Sequence, residues 1–397
     1  MRSTCRLSVI VTSRNDDHGG DMLRRFRLFA EGLLEQANRH GLQGELVVVE
    51  WNPPPGPRLH EVLVPRVKSH HLPIRFIEVP PSAHRRFANA DAIPLFQMIA
   101  KNVGIRRARG EFVLATNPDL LFSEALALEL AHGPLAHEEM LRIDRTDVAA
   151  DVPDGVSLDE QLDWCDGHVL RIHTRRGTLP PGARFLSALE LRRARESLRQ
   201  LVHELRRTLR AGPLTRERLG RLAARLARAG PRLAVEPVRL LLLQLAKLLD
   251  ATPAVHTNGC GDFTLLSRER WLALEGHPEL PLWSMHLDSL LCYMAAASGA
   301  EQRILRPPAR LYHLEHGRSW VALDASQRLA TFARTPWLDV GLLRELWGRM
   351  YRERRPLRTN PPNWGLGDLA LSEVVLAGGE KTRMLGAAPC DLAGATA

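Results

Sequence analysis

Paired cysteines are missing from this chain of 397 residues. Its five cysteines, Cys5, Cys165, Cys260, Cys292 and Cys390, are scattered without a Cys-x-x-Cys pair, which argues against a zinc knuckle or a disulfide scaffold and fits a reducing compartment. Long apolar runs are missing as well. The most lipid-like stretch, Leu240 to Leu249, contains Gln244 and Lys247 and falls far short of the ~20 residues a membrane span needs. The first apolar run stops at Arg14, so no secretory leader is expected. No Gly-x-Gly-x-x-Gly follows the first strand-like segment, and no Gly-x-x-x-x-Gly-Lys-Ser/Thr occurs. Dinucleotide and P-loop sites therefore lose their usual support. Together these absences point to a cytoplasmic protein, peripheral at most on the inner face of the membrane.

Lysine is scarce: four of the 54 basic residues. With abundant Ala, Leu, Pro and Gly, this suggests a GC-rich coding sequence and lowers the functional weight of any one arginine. The net charge of +9 belongs to one segment. Residues 185–250 hold 15 Lys and Arg against 6 Asp and Glu, and the rest of the chain holds 39 of each. Within it Leu198, Leu201, Leu205 and Leu209, then Leu219, Leu222 and Leu226, fall at helical spacing, with breaks at Gly212-Pro213 and Gly230-Pro231. The segment reads as a basic all-helical insertion that packs leucines inward and solvates its arginines. The alternative is a basic amphipathic surface for anionic lipid head groups. Nucleic acid is not an expected partner, because Phe185 is the segment's one aromatic residue.

Outside the insertion, short β-type runs alternate with helical patterns. Leu7 to Ser13 reads as a strand, followed by the polar loop Arg14 to Gly20 and a helix whose apolar members are Leu23, Phe26, Leu28, Leu33 and Leu34. Glu45 to Asn52 reads as a second strand and Ile74 to Val79 as a third, each closed by prolines. This order is that of a mostly parallel sheet with right-handed crossovers. The stretch Lys101 to Phe122 is the most informative. A basic helix containing Asn102 runs to Gly110, Glu111 to Ala115 suits a buried strand, and Asn117-Pro118-Asp119 makes a sharp polar turn at its carboxyl end. Ligands of open α/β sheets sit beyond the strands' carboxyl ends. A carboxylate there can hold a divalent cation, which in turn can hold a diphosphate.

This pattern resembles the metal-binding turn of the GT-A glycosyltransferases, especially the family 2-like group. Asn102, Gly104, Ala108 and Gly110 match that group's helix, Asp119 matches the last Asp of its Asp-x-Asp turn, and Asn117 replaces the first. The resemblance implies an α/β, GT-A-like, mostly parallel twisted sheet flanked by helices. It implies that Ser13, Arg14, Asn15, Glu50, Asn102 and Asn117 serve the nucleotide sugar. Later in the chain, a glycine-framed Asp262 suits a loop feeding a site, and Trp283-Ser284-Met285-His286 is an aromatic loop before Asp288. By resemblance Asp288 is the general base for an acceptor hydroxyl, with Asp262 the next candidate, and Asp262, Trp283 and His286 lie on the acceptor side. A late histidine completes the metal site in several GT-A families; His313 matches it best, with His316 second. Mg²⁺ or Mn²⁺ is the implied cofactor.

The expected organisation is a nucleotide-sugar-binding half at 1–184, the insertion at 185–250, an acceptor and catalytic half at 251–330, and a C-terminal helical extension at 331–397, disordered beyond Gly378. Trp364 in that extension either stacks on a sugar or packs. The expected activity is inverting transfer from a nucleotide-sugar donor to a carbohydrate, lipid-linked or protein acceptor, as in polysaccharide biosynthesis. One rival is a sugar nucleotidyltransferase, which usually needs a Gly-rich phosphate loop that Leu7 to Asp17 lacks. Another is a non-catalytic, membrane-recruited scaffold with a degenerate transferase fold.

Overall fold

A computed structural model describes residues 5–182, 254–316 and 335–385. The insertion expected at 185–250 and the tail beyond residue 385 lie outside them. The chain divides into two compact units, Met1–Thr178 with Val255–Ala397, and Leu179–Ala254. All the candidate site residues fall in the first.

The first half builds the parallel centre. Strand β1 (Leu7–Ser13) is buried along its whole length, as a strand covered on both faces must be. Helix α1 (Met22–His40) follows and ends on Gly41 in the left-handed conformation, whose N–H bonds Ala37 O. Then come β2 (Gly44–Trp51), the single turn α2 (Leu59–Val62), β3 (Ile74–Val79), the single turn α3 (Pro81–His84) and α4 (Gln97–Arg106). Strand β4 (Phe112–Thr116) leads through the polar turn into β5 (Leu120–Phe122) and α5 (Glu124–His132). Side chains along β1 alternate between two cores. Val9 and Val11 pack with Phe26, Phe29 and Leu33 of α1, while Ile10 packs with Ile99 and Val103 of α4. Gly104 lets α4 lie close on the sheet, since a Cβ there would meet Ile10 Cγ2 at 2.6 Å.

The chain continues through β6 (Glu139–Ile143), β7 (Arg145–Val148), α6 (Leu158–Gly167), β8 (Val169–Thr174) and β9 (Gly177–Leu179). After the second unit come β10 (Phe263–Ser267), α7 (Arg268–Ala273), α8 (Leu287–Ala297), β11 (Glu301–Leu305), β12 (Leu311–Leu314), α9 (Val340–Glu353), β13 (Ser372–Ala377) and β14 (Glu380–Leu385). A nine-stranded sheet has the order β11-β6-β10-β4-β1-β2-β3-β13-β14, and a five-stranded sheet the order β5-β12-β7-β8-β9. The large sheet is parallel only across β4-β1-β2-β3 and between β11 and β6; β10 and β13 run antiparallel to their neighbours. The expectation of a mostly parallel sheet therefore holds for its centre alone. Strands β10 and β13 come late in the chain and join the finished centre from its two sides, outside the βαβ crossovers that impose parallel direction.

The C-terminal extension is also not purely helical. Beyond α9 the chain forms the β13–β14 hairpin on the edge of β3, so residues 380–385, expected to be disordered, are a strand. Gly378 and Gly379, both at positive φ, make its two-residue turn. Among the described residues, no helix is long and apolar enough to cross a membrane.

Candidate metal centre and its surroundings

The turn leaving β4 carries Asp119 to the junction of the two sheets, where β12 lies between β5 and β7. His313 on β12 registers with Leu120 on one side and Asp147 on the other. Three residues further on is His316. The Nε2 atoms of His313 and His316 lie 3.7 and 3.6 Å from the same oxygen, Asp119 Oδ2. One ligand atom from each of the three residues falls within 4.8 Å of the others. Among the described residues, Asp119 Oδ1 and His316 Nδ1 are buried without a hydrogen-bond partner. Buried polar atoms left open in this way fit a cation-binding donor set. Burial pushes the His316 imidazole down to about 4, against the pull of Asp119, so the ring is neutral at physiological pH, the state that ligates metals. Two imidazoles and one carboxylate make a donor set that a divalent metal ion can use.

The loop after β1 closes over this triad. A Cβ on Gly19 would approach His316 Nδ1 to 2.7 Å, and Gly19 has a φ of 79°, so only glycine suits the place. The His18 ring stands edge-on to His316 with 5.9 Å between centroids. Buried Arg25 braces the loop, donating to the carbonyls of His18, at 2.7 Å, and Gly20.

Behind the triad lies a buried charge network. Asp147, with no exposed surface, sits 3.2 Å from His313 Nδ1 and accepts from Arg171 Nε at 2.5 Å and His173 Nε2 at 2.9 Å. Arg145 bridges Asp147, at 2.8 Å, and Asp262, at 2.6 Å. Burial pushes the Asp147 carboxyl up, but His173, His313 and Arg145 together hold it far below the usual carboxylate range. Asp262 is treated alike: burial opposes ionisation, Arg145 outweighs it, and the group comes down to about 2. Its Oδ1 accepts from Asn117 Nδ2 at 2.7 Å, and Asn117 Oδ1 accepts from Gln97 at 2.9 Å. Both polar atoms of Asn117 are thereby engaged, and the turn that bears Asp119 is tied down.

Asp288 stands in the first turn of α8, half-buried, with Oδ1 accepting from Ser289 N at 2.7 Å. Its other oxygen abuts the Asp262 loop, where a Cβ on Gly261 would come within 3.0 Å. Lys101, fully buried, donates to Gly261 O at 2.7 Å. Burial pushes its ammonium down to about 8, opposed chiefly by Asp262 and Asp288, with Asp119 also in reach. Lys101 thus lies within electrostatic reach of Asp262, Asp288 and Asp119, and Arg145 joins Asp262 to Asp147, which faces His313. His286, before α8, holds a left-handed φ of 68° and faces Trp337 at 5.9 Å, while Trp283 N donates to Pro336 O at 2.8 Å.

The other expected site residues have hydrogen-bond partners within the fold. The Asn102 amide is completely buried: it donates to His277 O at 2.8 Å and Glu279 Oε1 at 3.0 Å, and accepts from His277 N at 2.7 Å. Glu50 is buried too, and both its oxygens accept from Leu59 N at 3.0 Å, opening α2. Ser13 contacts Met22 Sδ at 3.5 Å, Arg14 Nε donates to Asn52 O at 2.6 Å, and Asn15 donates to Pro57 O at 3.0 Å. Trp364 is buried, 5.0 Å from the Arg106 guanidinium, so it packs rather than offering a face to a sugar. Sequence reasoning missed Lys101, Arg145 and Asp147. Lys101 carried a signal, being one of only four lysines and adjacent to Asn102.

No family model and no curated protein matches this chain. Among solved structures it is similar to that of GalNAc-T7 with UDP, GalNAc and Mn²⁺, at 10% identity and a TM-score of 0.39. That similarity covers 91% of this chain and 53% of the other, so this chain spans about half the length of that neighbour.

Proposed function

We propose that this chain is a GT-A-like glycosyltransferase that moves a sugar from a nucleotide-sugar donor to an acceptor hydroxyl with the help of Mn²⁺. The observation carrying this reading is the convergence of Asp119, His313 and His316 at the carboxyl end of a central parallel strand, with Asp288 and Asp262 alongside. Strand ends of this kind are where α/β sheets bind nucleotides. In this reading Asp119 and the two histidines hold the cation, which would neutralise charge on the departing nucleoside diphosphate. The glycine loop at Gly19 and Gly20, braced by Arg25, brings backbone close to the diphosphate. Residues 1–184 form the donor half, with Ser13, Arg14, Asn15 and Glu50 shaping the loops around the nucleotide, and 251–330 the acceptor half.

Asp288 takes the proton of the acceptor hydroxyl as it attacks the anomeric carbon. Its partly open position, beside buried Asp262, makes it the better base, since Asp262 is fully committed to Arg145 and Asn117. Trp283 and His286 line the approach of the acceptor. One displacement of this kind inverts the anomeric centre. The test is to incubate the protein with a panel of nucleotide sugars, Mn²⁺ and simple acceptors, and to follow nucleoside diphosphate release and product configuration by NMR. Mn²⁺-dependent release with an inverted product is expected. Retained configuration would remove Asp288 from the role of base, and no release from any donor would remove the transferase reading.

A further inference from the structure

We infer that Asp147 is the positioning residue of the metal centre: it fixes the His313 tautomer so that Nε2 presents its lone pair to the cation. The inference rests on the metal reading of Asp119, His313 and His316. His313 lies between two carboxylates, with Nε2 3.7 Å from Asp119 Oδ2 and Nδ1 3.2 Å from Asp147 Oδ1. This follows from the strand order, because β12 is flanked by β5 and β7, and His313 registers directly with Asp147. Asp147 has no exposed surface and is surrounded by Arg145, Arg171 and His173, so it stays ionised. An ionised carboxylate only accepts hydrogen bonds. The imidazole nitrogen facing it must therefore carry the proton, which leaves Nε2 unprotonated and aimed at Asp119. A second carboxylate behind a ligating histidine fixes ring orientation and raises ligand basicity.

The same network reaches the other ligand. Arg145 ties Asp147 to Asp262, and Asp262 holds Asn117, two residues before Asp119. Asp147 thus sets the position of His313 directly and of the Asp119 turn through a chain of three contacts.

The test is Mn²⁺ titration by calorimetry on the whole chain, comparing wild type, Asp147→Asn and Asp154→Asn. Asp154 is a carboxylate paired with Arg27 and Arg66, and its change removes the same charge without touching the network. Asp147→Asn should weaken Mn²⁺ binding by about 10–100-fold, and Asp154→Asn by no more than about threefold. The imidazole ¹⁵N spectrum of the metal-free wild type gives a readout that does not require Asp147→Asn to fold: the His313 signal, assigned by its loss in folded His313→Gln, should show the proton on Nδ1. A proton on Nε2, or Mn²⁺ affinity unchanged in folded Asp147→Asn, would overturn the inference alone. A wild type that binds no Mn²⁺ would overturn the metal reading and this inference with it.

Discussion

At the scale of single residues, the site depends on where protons and hydrogen bonds are already committed. Asn117 and Asp262 have their polar atoms tied to each other and to Gln97 and Arg145, while Asp119 Oδ1 and the Nδ1 atom of His316 have no hydrogen-bond partner among the described residues. A cation can gain from uncommitted atoms of this kind, and not from the committed ones. Asp119→Ala should therefore abolish Mn²⁺ binding and transfer with little loss of fold stability, which calorimetry and thermal unfolding would separate; undiminished metal binding would refute the ligand assignment. Asp288→Asn preserves size and hydrogen bonding but removes the proton acceptor. Turnover should fall by about 10²–10⁴-fold with donor affinity nearly unchanged. Equal losses in donor binding and turnover would move Asp288 into the binding shell.

At the scale of elements, sequence periodicity located what is local. The strands at Leu7–Ser13 and Ile74–Val79 have the bounds expected from their apolar runs, because each is bordered by residues that end a strand whatever the tertiary context. The β13–β14 hairpin was missed although Gly378-Gly379 is a hairpin turn signal, since the flanking segments look small and mixed until β3 supplies a partner. The turn bearing Asp119 was legible, and so were the two histidines after a short strand. Asp147 was not, because its meaning lies in a register partner more than 160 residues away, which no local pattern encodes. Asn102 shows the opposite failure: a motif position whose amide instead ties α4 to the segment at Gly276 to Glu279. Asn102→Ala leaves the buried His277 N–H unpaired and should cost about 1–3 kcal/mol of stability. Donor affinity of the folded variant, measured by titration, should stay at the wild-type value; a selective loss of donor binding would restore a ligand role to Asn102.

Glu50 links an element to pH. Burial pushes its carboxyl up to about 7, only partly offset by the Leu59 N–H, and Glu279 is raised to about 7 for the same reason. The folded chain holds these protons more tightly than the unfolded chain does. Their contribution is therefore full below the ordinary carboxylate range and is lost as pH rises through about 7. Denaturant midpoints should fall between pH 5.5 and 8.5, and Glu50→Gln should flatten that fall. An unchanged pH slope in the variant would show that Glu50 is ionised in the fold.

At the scale of the whole molecule, two sheets meet at the turn after β4, and the site draws on β1, β4, β7, β10, β12 and α8 together. A ligand bound there joins segments from both ends of the chain, from His18 to His316. Mn²⁺ at a hundredfold excess over its dissociation constant should stabilise the fold by about 2.7 kcal/mol, an effect that His316→Ala should largely remove. The most direct measurement is nucleoside diphosphate binding by calorimetry, with Mn²⁺ and then with excess chelator, on wild type and Asp119→Ala. Wild type should bind at least one nucleoside diphosphate with Mn²⁺ and lose that binding in chelator, and Asp119→Ala should not bind in either condition. Equal binding by wild type in chelator, or by Asp119→Ala with Mn²⁺, would contradict a nucleotide site built on this metal centre.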